Sequence, residues 1–198
     1  MVSYSRMQVL FIRTNKENDM ELKLLSEDEK LFHKDEIIQL LEESDNDFLP
    51  PLSQRCSPND KSFSGEMKCS NGVISYYTEM NRQSILAVLS HGKVIGFVSF
   101  RENYQDGENS GIYISTLVVS RSARGLGLTS GMYDYLFSTA FPDHNFYTRT
   151  WSTNVAHTKI LSRFGFSEIK RIENDRGDGI DTVYYERLAT AQSEPTER

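Results

Sequence analysis

An apolar, β-prone run, Gly111–Val119, is followed almost at once by Arg124-Gly125-Leu126-Gly127-Leu128-Thr129 and then by a helical pattern. That pattern places Met132, Tyr133, Leu136, Phe137 and Ala140 on one face, and Pro142-Asp143 stops it. A strand delivered into a glycine turn that opens a helix leaves backbone N–H groups without partners, at the positive end of the helix dipole. An anion such as a pyrophosphate is the natural occupant of that turn. Gly125 and Gly127 permit close backbone approach, Arg121 and Arg124 add positive charge, and Thr129 and Ser130 can donate hydroxyl hydrogen bonds.

Around this unit the sequence reads as one domain over residues 1–188 with a polar tail at 189–198. Met7–Arg13 is a first strand, and Glu21–Leu25 either continues a hairpin or leads onward. Phe32–Ser44 is an amphipathic helix with Phe32, Ile37, Leu40 and Leu41 inward, and Asn71–Met80 is a second helix. Residues 53–65 read as a loop, either a surface connection or a lid. Ser84–Leu89 and Val94–Phe100 form a hairpin about His91-Gly92, and Gly111–Val119 returns antiparallel after a longer turn. Phe146–Trp151 is the next strand, Asn154 caps a helix that Gly165 ends, and Phe166–Ile172 with Thr182–Leu188 closes the sheet. The mixture predicts an α+β fold, a mostly antiparallel central sheet with helices on both faces.

Composition narrows the function. The net charge of -6 disfavours nucleic acid and anionic membranes as partners and favours a cationic ligand such as an amine. The two cysteines, Cys56 and Cys69, lack metal-ligand spacing and read as free thiols, so no metal is expected. The N-terminus carries no signal-peptide pattern and no segment reaches membrane-spanning length, which predicts a cytoplasmic protein. A dinucleotide-binding oxidoreductase fails on context, since the glycines follow antiparallel hairpins rather than the first strand of a βαβ unit. The acid-rich segment from Glu173 to Asp181 lacks the register of a calcium loop and reads as a solvated turn.

Leu117-Val118-Val119, Arg124-Gly125-x-Gly127-x-Thr129, then Asn154 and Phe164-Gly165-Phe166, resemble the GNAT superfamily of acetyltransferases over roughly residues 84–188. Three places depart from the first motif and its partner: Thr129 stands where the family prefers Gly or Ala, His157 where it prefers a small residue, and Leu161 where it has Tyr. The resemblance implies acetyl-CoA as co-substrate. Leu117, Val118 and Val119 would pair with the pantetheine arm, and Arg124, Gly125, Leu126, Gly127, Leu128, Thr129 and Ser130 would hold the pyrophosphate. Asn154 would hydrogen-bond the pantetheine. It implies transfer of an acetyl group to a primary amine by direct attack on the thioester. The expected acceptor is a small cationic molecule, with a protein amine as the other class, and the expected assembly is a monomer or homodimer.

The family's proton-handling side chains are missing. Arg149 occupies the place of its strand Glu, and Leu161 that of its Tyr. His157 is the foremost replacement, because residues three and seven after Asn154 share its helical stripe. Ser115 and Tyr113 are further candidates for proton relay or substrate contact. A non-catalytic acyl-CoA sensor is the competing reading that these departures allow.

Overall fold

The computed structural model describes residues 10–12, 20–60, 63 and 71–189. Among them, eight strands form one sheet: β1 (Leu10–Ile12), β2 (Met20–Leu24), β3 (Ser84–Ser90), β4 (Lys93–Asp106), β5 (Asn109–Val119), β6 (Phe146–Trp151), β7 (Ser167–Ile172) and β8 (Thr182–Arg187). Their order across the sheet is β1-β2-β3-β4-β5-β6-β8-β7. Every neighbouring pair is antiparallel except β5 and β6. The expected α+β architecture is the one observed.

Helices cover both faces. On one lie α1 (Glu27–Phe32), α2 (Lys34–Glu43) and α3 (Val73–Met80), with Ile37, Leu41, Tyr76 and Met80 buried against Ile85, Ala87, Phe97 and Val118. On the other lie α4 (Leu128–Tyr135), continued by a wider π turn over Leu136–Ala140, and α5 (Val155–Arg163). Met132, Tyr133, Leu136, Phe137 and Leu161 pack there against Val98, Phe100, Ile112 and Phe146. Burying side chains of this size contributes about 1.5–3 kcal/mol each, which makes the two-faced core the main source of stability.

The amphipathic helix expected over Phe32–Ser44 is α2, Lys34–Glu43, with Ile37, Leu40 and Leu41 buried; Phe32 instead ends a separate short helix, α1, before His33. Ser26 and Glu29 form a reciprocal capping box that starts α1, with the Glu29 amide donating to Ser26 Oγ at 3.3 Å and the Ser26 amide to Glu29 Oε2 at 2.9 Å. The break turns Phe32 outward, leaving it 81% exposed rather than in the core. The first strand lies within the described residues only over Leu10–Ile12, and most of the polar tail, 190–198, falls outside them. Cys56 is disulfide-bonded, so its reading as a free thiol is wrong; Cys69 lies outside the described residues.

One irregularity sets up everything downstream. In the β4–β5 ladder Ser99 faces Thr116 and Phe100 faces Ile114, so Ser115 is an extra residue in β5, a β-bulge. The bulge inverts the side-chain alternation. Before it, Ile112 and Ile114 face the α4 side; after it, Val118 faces the α2–α3 side and Tyr76 reaches Thr116 Oγ1 at 2.7 Å. The parallel pairing of β5 with β6 covers only Ile112–Ile114 against Phe146–Thr148 and ends there. Beyond it the two strands no longer pair with each other, though β5 stays paired with β4 to Val119 and β6 with β8 to Trp151.

The start of that short parallel ladder is sterically tight. A Cβ on Gly111 would come within 2.3 Å of the Asn145 carbonyl oxygen, which accepts the Ile112 amide at 2.9 Å. Gly111→Ala is therefore expected to cost about 1–3 kcal/mol, as overpacked positions do. Denaturant unfolding of the variant checks this, and an unchanged midpoint would contradict the close approach.

Candidate functional site

Where β5 and β6 part, a cavity of about 320 Å³ opens between them. Its walls are Ile114–Val119 of β5, Thr148–Trp151 of β6, and Asn154, Ala156, His157 and Ile160 of α5. Alternate backbone N–H and C=O groups of the diverged strand edges point into this gap without a strand partner. The cavity has two regions of different chemistry.

At the end where β5 stops is the glycine turn. Gly125 (φ 80°) and Gly127 (φ 79°) are both left-handed, and a Cβ added at either would meet nothing. Glycine is therefore required there for backbone conformation, and the open space beside it is available to a ligand. Gly127 is the N-cap of α4 and no side chain caps the helix, so its first amides remain unsatisfied within the helix. Arg124 and Thr129 line the cavity; Gly125, Leu126, Gly127 and Ser130 stand at its rim or beyond it, and Leu128 is buried in the core at 2% exposure.

Two contacts at this end were not legible from spacing. The Arg124 guanidinium donates to Asp47 Oδ2 at 2.5 Å and to the Val119 carbonyl at 3.3 Å, so its charge is matched by an acid that also lines the cavity. Arg163, at the last turn of α5, donates to the Ser130 hydroxyl. That places a second guanidinium beside the first turn of α4, from a residue that no motif singled out.

Asn154 and His157 do share a face and both border the cavity, as the helical offset predicts. Asn154 caps α5: its Oδ1 accepts the His157 amide at 3.2 Å, and its Nδ2 donates to Thr150 Oγ1 at 3.1 Å. His157 Nε2 lies 2.9 Å from the hydroxyl of Tyr133, a fully buried residue of α4. Burial pushes the imidazole down to about 4, and burial also pushes the Tyr133 phenol up. Both are neutral near pH 7, and with phenol O–H donating to Nε2 the imidazole carries its proton on Nδ1. Leu161 is fully buried in the core.

Ser115 borders the cavity at the bulge. Its hydroxyl donates to Gln83 Oε1 at 2.5 Å and lies 2.9 Å from Ser99 Oγ. Tyr113 does not reach this cavity. It lies earlier along β5, buried beside Tyr104 and Arg101, and borders a separate hollow with Tyr147 and Tyr184.

On the β6 side of the cavity three arginines converge. Arg55 and Arg176 are only 5% and 8% exposed, and Arg149 is half-buried; all three border the cavity. Their guanidinium carbons stand 4.8, 4.2 and 4.8 Å from the centroid of the Phe63 ring. Arg55 donates to the carbonyls of Pro50 and Leu49 at 2.9 Å each; Arg176 donates to the Leu49 carbonyl and to Thr182 Oγ1; Arg149 donates to the carbonyls of Asp60 and Pro58 and to the Tyr184 hydroxyl. The Glu173–Asp181 turn is thus not simply solvated, since Asp175 and Arg176 insert beneath the sheet edge. The loop after residue 53 likewise contributes Arg55 and Pro58 to the cavity wall.

Among the described residues no group of three or more His, Cys, Asp or Glu could hold a metal ion, and no helix is long and apolar enough to cross a membrane.

The Acetyltransferase (GNAT) family model matches residues 39–166, from α2 through the end of α5. Solved structures share the fold at low identity. A Salmonella typhimurium protein, yncA, solved with its cofactor acetyl-CoA, superposes with a TM-score of 0.59 at 14% identity, over 89% of this chain and 98% of that one. An N-acetyltransferase from Staphylococcus aureus gives 0.57 at 16% identity, covering 87% and 99%. A ribosomal-protein-alanine N-acetyltransferase from Brucella melitensis gives 0.55 at 15% identity, covering 84% and 98%. No curated protein sequence matches the chain. The family match spans both the diverging strands and the glycine turn, and the chain belongs to the GNAT family of acetyltransferases.

Proposed function

We propose that this chain transfers the acetyl group of acetyl-CoA to an amine, with the cofactor lying in the gap between β5 and β6. The observation that carries this is the gap itself, an unpaired pair of parallel strand edges that leads to a helix start with free amides. Leu117, Val118 and Val119 offer the backbone edge for the pantetheine amides. Gly125 to Ser130 offer amides and hydroxyls for the pyrophosphate, with Arg124 and Arg163 beside them. The salt bridge of Arg124 to Asp47 is exposed on both sides, so a pyrophosphate can displace it at small cost. The bound cofactor supplies an electrophilic acetyl thioester; in the net reaction a C–N bond forms, the C–S bond breaks, and the amine proton ends on the thiol.

The chain's own groups limit how that proton travels. An imidazole with a pKa of about 4 is a weak base for an ammonium, so His157 fits a hydrogen-bonding role better than base catalysis. Asn154 and His157 then form one wall, held by Thr150 on one side and Tyr133 on the other. Ser115, whose proton is directed to Gln83, is the hydroxyl at the bulge from which a relay through ordered water can start. Proximity of an uncharged amine to the thioester supplies the remainder of the rate. The acceptor is an amine, a small molecule or a protein terminus; the cationic acceptor inferred from the net charge of -6 rests on the whole chain, whereas the cavity wall carries arginines.

Acetyl-CoA is expected to raise the thermal unfolding midpoint, and NAD is not. Gly127→Val, which forces a β-branched residue into a left-handed backbone, is expected to weaken acetyl-CoA binding by roughly tenfold or more. Equal stabilisation by NAD, or full acetyl-CoA affinity in the variant, would sink the assignment.

His157 gives a separate test. Its folded pKa lies below that of the unfolded chain, so the stability tied to its neutral form is fully present above about pH 6.5 and is lost as pH falls towards about 4. His157→Gln is therefore expected to lose less stability than the wild type between about pH 7 and pH 4.5. Parallel loss in both proteins, followed by chemical denaturation, would show that the imidazole is not held neutral.

A further inference from the structure

A protein of net charge -6 places three arginines on one side of its cavity. Arg55, Arg149 and Arg176 surround Phe63, and among the described residues none of them forms an ion pair with a carboxylate. The charges of Asp60 and Asp175 reach Arg55 and Arg176, while their oxygens accept from other donors. Asp60 Oδ2 accepts the amides of Cys56 and Ser57, and the two oxygens of Asp175 accept from the Phe63 amide and the Thr182 hydroxyl. Carbonyls, hydroxyls and a ring face hold the guanidiniums in place, and the charges of Asp60 and Asp175 offset those of Arg55 and Arg176 only in part.

Such a cluster costs stability. Burial first, then the neighbouring Arg55 and Arg149, press Arg176 down to about 9, and burial also lowers Arg55. A group that recovers this cost on binding is an anion. The guanidinium fork suits an oxyacid group, whose oxygens match its paired N–H donors. The location matters as much as the charge. Arg149 follows Thr148, the last β6 residue paired with β5, and Arg176 bonds Thr182, the residue opposite Trp151 of β6, whereas the glycine turn follows β5 at Val119. Cofactor phosphates held at the glycine turn therefore leave the arginine side to the other reactant.

Resting on the transferase reading above, we propose that the acceptor amine carries an anionic oxyacid group, a carboxylate or a phosphate, which Arg55, Arg149 and Arg176 bind while the amine faces the thioester. The feature is local, and it runs against what the net charge implies. Because Arg149 occupies the place of the family's strand Glu, the same substitution that removes an acid there adds a substrate anchor.

The test measures CoA release from acetyl-CoA with matched amines: α-amino acids against their amides, phosphoethanolamine against ethanolamine, and spermidine. The amino acids, the phosphorylated amine or both are expected to exceed their uncharged partners by roughly tenfold to a hundredfold in kcat/KM, mostly through KM. Which pair shows the larger ratio assigns carboxylate or phosphate. Arg149→Met is expected to erase that ratio by raising KM for the anionic amines, with the KM for acetyl-CoA unchanged. Should the variant not fold, the wild-type ratios stand as the test. CoA release with no preference, or a preference for spermidine or the amides, overturns this inference and leaves the transferase reading intact. CoA release from no amine, together with no thermal shift by acetyl-CoA, overturns both.

Discussion

The site depends on one extra residue. Ser115 interrupts the β4–β5 register, and its hydroxyl fixes the interruption by bonding to Gln83 and Ser99. A strand that continued in register would pair with β6 along its length and seal the sheet. With the bulge, the parallel ladder stops at Ile114 and Thr148, and both strands present unpaired backbone to a cavity. The same inversion sends Thr116 and Val118 to the α2–α3 face. Bulges cost local pairing and are placed where a strand must be re-aimed; here the re-aimed strand forms a binding cleft.

From this gap follows a division of labour by charge. The glycine turn presents amides, a helix start and partly exposed arginines, one of which is held by Asp47. The β6 side presents buried and half-buried guanidiniums around Phe63, held by main-chain carbonyls. Net charge describes neither region. It sums over distances far longer than a Debye length, whereas recognition is set within a few ångströms of the ligand.

Much of this was legible beforehand, for reasons that differ by element. The Phe146–Trp151 strand and the β3–β4 hairpin show in the sequence as short apolar runs bounded by turns, and Asn154 shows as a cap because only a short polar side chain can accept the His157 amide. Gly125 and Gly127 are legible because L side chains avoid the left-handed region. The split between α1 and α2 had a signal in Ser26 and Glu29, and the apolar periodicity of Phe32 masked it. The arginine cluster had none. Arg55, Arg149 and Arg176 come from a loop, a strand and a turn, and only the tertiary fold brings them to Phe63. The bulge was likewise invisible, because Ser115 breaks no alternation that composition alone can show.

The central claim is that the diverged edges of β5 and β6, with the amides of the glycine turn, hold acetyl-CoA. Backbone amide hydrogen exchange with and without acetyl-CoA tests it directly. Slower exchange is expected at Leu117–Val119, at Gly125–Ser130 and around Asn154, with β2 and β3 unchanged. Protection confined to other elements, or none at saturating cofactor, would contradict the account.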